Sequence, residues 1–137
     1  MTENNILVDK AIDFAIRIVN CYSYLVNEKK EYVMSKQVFR SGTSIGANIH
    51  EAIQGQSRAD FISKLNTSLK EASETSYWLI LLHRTSFLED KMYLSLKKDI
   101  DENHQNTDIF NKNGQEERSE RLKYRKIQKD NSLKNFE

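Results

Sequence analysis

Met34-Ser35-Lys36-Gln37-Val38-Phe39-Arg40-Ser41-Gly42-Thr43-Ser44-Ile45-Gly46-Ala47-Asn48-Ile49-His50-Glu51-Ala52 is the stretch that decides the fold. Met34, Val38, Ser41, Ile45, Ile49 and Ala52 step by 4, 3, 4, 4 and 3, the spacing of one face of an α-helix. Gly42 and Gly46 interrupt the run, and a mid-helix glycine costs about 1 kcal/mol relative to alanine. One reading breaks the helix at Ser41-Gly42-Thr43-Ser44, with Ser44 capping a new element. The apolar phase survives both glycines, however. The spacing therefore predicts one helix from about Glu31 to Gln54, in which the glycines let a neighbouring helix approach closely.

The flanking segments repeat the pattern. Leu7, Ala11, Phe14, Ile18, Tyr22 and Leu25, a face widened by Ala15, Val19 and Val26, predict a helix from about Asn5 to Val26, followed by a loop at Asn27 to Lys30. Gly55 stands where a helix ends, and Ser57 with Asp60 three residues on resembles a capping box. A third helix is expected from Arg58 to about Thr85, with Phe61, Leu65, Leu69, Ala72, Ser76, Leu79 and His83 on its inner face. Its second half adds Tyr77, Trp78, Ile80, Leu81 and Leu82, so it is apolar nearly all round. Such a helix needs partners beyond one neighbour. Tyr77, Trp78, Leu81 and Leu82 are thus candidate contacts with a second copy of the chain.

A fourth helix is expected from near Glu89, with Met92, Tyr93, Leu96 and Ile100 on one face. After Glu102 the sequence turns polar, and the few large apolar residues, among them Ile109, Phe110, Leu122 and Tyr124, show no sustained period. The expectation is all-α: an antiparallel up-down four-helix bundle over residues 1–102 with a short or incomplete fourth helix. Residues 103–137 are expected to form a disordered tail, because so few apolar groups do not offset the entropy of ordering.

Composition agrees with a helical domain. There is no proline and only four glycines, too little turn punctuation for an all-β chain. Net charge is +1, from 21 basic and 20 acidic residues, which gives no strong field for nucleic acid or an anionic membrane. The single Cys21 excludes an internal disulfide and suits a reducing compartment. No apolar run approaches the ~20 residues of a membrane span, and no secretory leader is visible. A cytoplasmic protein is the expectation.

The search for chemistry yields no enzyme. None of His50, His83 and His104 follows a Glu by three residues, as a di-metal bundle site requires, so no metal or other cofactor is expected. Cys21 sits among core positions, and neither a nucleophile elbow nor a phosphate-cradling glycine loop is present. One polar constellation stands out: Gln37, Arg40, Ser44, Asn48 and Glu51 step by 3, 4, 4 and 3 along one stripe. It is either a solvated face or a hydrogen-bond network at a helix–helix or subunit interface. The basic cluster Arg118, Arg121, Lys123, Arg125, Lys126 and Lys129 is diluted by Glu116, Glu117 and Glu120, which makes a solvated tail the favoured account.

Ser44-Ile45-Gly46-Ala47-Asn48-Ile49-His50-Glu51-Ala52 resembles the SIGANIxEA segment of the 23S rRNA intervening-sequence proteins. Gln37 to Ser41, Asp60 to Leu65 and Lys70 to Leu79 resemble flanking segments of that family, so the likeness covers about residues 6–102. It implies an antiparallel four-helix bundle that forms homopentamers, with no established catalytic activity. It adds Glu74 to the polar stripe by position. A related accessory protein of diversity-generating retroelements is a basic, nucleic-acid-binding pentamer, so nucleic acid is a possible partner here, although the charge excess is missing. The resemblance also implies an amphipathic continuation after Glu102. Back-translation of Asn103 to Gln115 with one nucleotide dropped permits Ile-Ile-Lys-Ile-Leu-Thr-Ser-Leu-Ile-Lys-Thr-Ala-Lys, which has helical period. A frameshifted tail is accordingly expected after Glu102.

Overall fold

The structure, a computed structural model, describes residues 2–134, apart from the side chains of residues 3–5 and 118. Four helices account for its regular structure: α1 (Glu3–Asn27), α2 (Met34–Gln54), α3 (Arg58–Arg84) and α4 (Asp90–Lys134). They form a ring in which α1 meets α2 and α4, and α3 meets α2 and α4. Partner pairs run in opposite directions, as Lys10–Glu102 and Arg17–Asp99 show for α1 and α4. Arg40–Glu74 and Glu51–Lys64 show it for α2 and α3. The topology is the up-down bundle.

Each boundary has a local cause. Lys30 turns the chain with a φ of 55°, and the buried Glu31 then folds back over the start of α2. Its carboxylate accepts from the backbone N–H groups of Val33, Met34 and Ser35 at 2.6–2.8 Å, filling three of the donors a helix start leaves open. Ser57 Oγ accepts from the Asp60 N–H at 3.1 Å and begins α3. Gly55 ends α2 in an extended conformation, φ −64° and ψ 149°, with its N–H on the Ala52 carbonyl.

α2 is unbroken, and its glycines face α1. A Cβ on Gly42 would meet Ile18 at 2.8 Å, and one on Gly46 would meet Ala11 at 3.4 Å. The α2–α3 seam is close for a related reason, since small hydroxyl residues line it. Buried Ser68 donates to the Ile45 carbonyl and buried Thr75 donates to Ser41 Oγ. This corrects the expected inner face of α3. Ser68, Thr75 and Leu82 point inward, while Leu69, Ser76 and His83 are half-buried. The hydroxyls find partners across the seam and their small size draws the helices together, so packing overrides the larger apolar neighbours. On α1, likewise, Cys21 takes the buried place expected for Tyr22.

The fourth helix also departs from expectation. It does not stop near Glu102 but continues to Lys134, and Asn103, Thr107 and Asn111 are buried on its inner face. Polar side chains sit there because some bond their own helix: Asn103 Nδ2 donates to the Asp99 carbonyl, and Thr107 Oγ1 to the Asn103 carbonyl. Phe110 supplies an apolar contact, its ring 5.5 Å from that of Phe61. Arg58 closes the seam with hydrogen bonds to the Gly114 carbonyl at 2.9 Å and to Glu117 at 2.7 Å. At 45 residues α4 is about 67 Å long, against about 37 Å for α1. From Gln115 onward its described side chains are exposed.

Candidate functional site

The polar stripe on α2 divides into two kinds of contact. Arg40 reaches across to α3 and pairs with Glu74 and, at 3.4 Å, with Glu71. Three turns on, Glu51 pairs with Lys64 at 3.0 Å and holds that ammonium above the ordinary lysine value through the hydrogen bond between them. The residues between turn back on their own helix. Ser44 Oγ donates to the Arg40 carbonyl and Asn48 Nδ2 to the Ser44 carbonyl. Gln37 contributes its main-chain carbonyl, which accepts from Ser41 Oγ. The stripe is therefore two exposed clasps between α2 and α3 joined by a backbone-bonded ladder. Ser44 and Asn48 are not linked to the Arg40–Glu74 pair through their side chains.

The aromatic end of α3 is split as well. Tyr77 is exposed, and its ring packs edge-on to the half-buried Trp78 at 5.2 Å. Leu81 is half-buried, but Leu82 is fully enclosed in the core of its own chain and so offers nothing to a second copy. The reason is geometric: Leu82 falls one turn after Leu79 on the inward face.

An exposed apolar surface lies on α1, where Ile12 and Ile16 were passed over and Val19, expected to widen the core face, instead turns outward. Ile12, Ile16 and Val19 are 48%, 54% and 42% exposed in a row along the helix. With Ala15, Thr43, Gly46 and Ala47 they line a groove of about 480 Å3 between α1 and α2. Their spacing of 4 and 3 was the available signal, a second apolar stripe beside the core one.

Burial pushes the Cys21 thiol up to about 11, against a smaller opposing effect of Arg17, so the reactive thiolate is suppressed. No cluster of three or more His, Cys, Asp or Glu able to hold a metal ion occurs among the described residues. His83 instead bonds Asp90 at 2.6 Å and stacks on Tyr93 across the α3–α4 turn. No helix of the described residues is long and apolar enough to cross a membrane.

The same ring of four helices is found among solved proteins. A family model described as 23S rRNA-intervening sequence protein matches residues 3–107, from the start of α1 into the middle of α4. The chain belongs to that family. A crystal structure of a protein of unknown function from the S23 ribosomal protein family of Bacteroides thetaiotaomicron VPI-5482 is similar to it, with 56% identity and a TM-score of 0.80. The likeness covers 81% of this chain and 99% of that one. No curated protein matches. Within this intervening-sequence family member, the sequence motifs that carry the likeness map onto the glycine-lined and hydroxyl-lined seams.

Proposed function

We propose that this family member is a non-enzymatic, self-assembling bundle of the cytoplasm, a homopentamer, with a structural or accessory role linked to ribosomal RNA intervening sequences. The observation that carries it is the row of exposed Ile12, Ile16 and Val19 beside the α1–α2 groove. A second apolar patch, Tyr77 with the outer edges of Trp78 and Leu81, lies on α3. α1 and α3 stand diagonally in the ring, their backbones apart across the shared core. Two different patches on opposite sides suit head-to-tail contacts, and such contacts close into a cyclic ring when the rotation permits. The number five is supplied by the family resemblance.

The test is the mass of the full chain by light scattering. Ile12→Glu with Ile16→Glu, and separately Tyr77→Ala with Trp78→Ala, are expected to lower that mass while far-UV helicity persists. A parent chain that is monomeric at high concentration overturns the reading. The rival is a nucleic-acid-binding module whose surface only the oligomer completes. Ribosomal RNA binding that weakens steeply with salt would favour that rival.

A further inference from the structure

We infer that the inner face of α4 beyond Glu102 is encoded in the neighbouring reading frame of this chain's own gene, displaced by one extra nucleotide at or just before codon 103. The inner face continues from Leu96 and Ile100 to residues 103, 107, 111 and 114, all buried. At the first three of these the chain places Asn103, Thr107 and Asn111, which are 5%, 1% and 3% exposed. Oδ1 of Asn103 and Oδ1 of Asn111 are buried without a hydrogen-bond partner. An unpartnered buried acceptor costs about 1–3 kcal/mol. Meanwhile Ile109 points outward and is half exposed. Beside it an open groove of about 240 Å3 separates α4 from α1, lined by Ile6, Leu7, Asn106 and Phe110 among others. Three polar side chains thus occupy the inner face while Ile109 lies outside it, although Phe110 packs inward and Asn111 Nδ2 donates to Asn66 Oδ1 at 2.6 Å.

The genetic code restricts the alternative frame to between two and four residues at each position from 103 to 115, and some choices are less helical than others. Asn, His, Asp and Phe codons all end in a pyrimidine, and Gln and Lys codons in a purine. Reading from the second base of codon 103, positions 103 and 111 can be only Ile or Thr. Position 110 can be only Leu or Ser, and position 107 only Leu, Pro, Gln or Arg. Positions 105, 112 and 115 can be only Lys or Arg, and these are the sole positions from 103 to 115 at which a cation is forced. All three are exposed in the structure, whereas 103 and 111 are buried. The shifted frame therefore keeps its forced charges outside and permits branched side chains at the buried positions in phase with Leu96 and Ile100, while the half-buried positions 104, 106 and 108 are also restricted to Ile or Thr.

The coding DNA is the first test. Thymine in the third position of the Asn103, Thr107 and Asn111 codons gives Ile, Leu and Ile in the shifted frame, which is the expected result. Any other base at any of the three leaves a hydroxyl, a proline or a polar side chain at a buried position and overturns the inference. The second test compares the full chain with the product of the same gene after deletion of one nucleotide at codon 103. The thermal midpoint is expected to rise by about 10 °C, the response of a small domain to a few kcal/mol. An unchanged or lower midpoint overturns the inference too.

Discussion

Gly42 lies so close to Ile18 that a methyl group on the glycine would stand 2.8 Å from both Cγ atoms of the isoleucine. Ile18 is fully buried and stiff at its branch point, so it has little room to yield. Gly42→Ala gains about 1 kcal/mol of helix propensity but incurs an overpacking cost of about 1–3 kcal/mol. The net expectation is a loss of about 1 kcal/mol. Gly46→Ala meets Ala11 only at ordinary contact distance and is expected to gain stability instead. Denaturant midpoints of the two variants at matched protein concentration, moving in opposite directions, check both.

Glu31 gives a pH dependence. Burial alone would push its carboxyl up, but the N–H groups of Val33, Met34 and Ser35 and the Ser35 side chain outweigh that and hold it below the ordinary glutamate value. Folding therefore favours the charged form. Its contribution is complete above the ordinary glutamate value and is lost as pH falls through the lower folded-state value. Glu31→Gln is expected to destabilise by about 1–2 kcal/mol at neutral pH. In unfolding titrations across acid pH, the gap between parent and variant should close as the parent carboxylate is protonated.

The Arg40–Glu74 clasp is expected to contribute little. The Arg40 side chain is 48% exposed and that of Glu74 is 41% exposed. A double-mutant cycle with Arg40→Ala and Glu74→Ala should return a coupling of about 0.2–1 kcal/mol that shrinks as salt is added. A coupling well above that range would mean the pair is shielded by a neighbouring chain.

The part of α4 beyond Glu117 should be dispensable for the bundle. Its described side chains are exposed, and a lone polar helix is marginal in water. Truncation after Glu117 keeps the Arg58 pair and should move the melting midpoint by no more than about 2 °C, as expected where less than about 0.5 kcal/mol is lost. Circular dichroism of parent and truncated chains measures both the midpoint and the helix content lost.

The ring of helices was legible in the sequence because the apolar periods of α1, α2 and the start of α4 are long and regular. The glycines of α2 were legible too, since Val38, Ile45 and Ile49 keep phase across them. α3 was misread by one position because Ser68 and Thr75 look polar, and only the Ile45 carbonyl and Ser41 Oγ across the seam make their burial possible. Glu31 was hidden for a similar reason: its role depends on a turn at Lys30 that no periodicity announces. Ile12 and Ile16 were written plainly but overlooked beside the stronger core stripe, to which Val19 was wrongly added. Arg17, bonded to Asp99 and Ser95 of α4, joins segments too distant in sequence for spacing to connect them.

Because each helix packs its backbone closely only on its neighbours in the ring, and α4 comes last, damage in this protein has a preferred address. A ribosome delivers α1, α2 and α3, with both of their seams and both short connections, before the second half of α4 exists. A change in the message downstream of codon 100 meets a platform that is already assembled. The 3′ end of such a gene is its forgiving end. Drift there can turn a sealing helix into a loose one and still leave a recognisable, foldable product for selection to repair or discard.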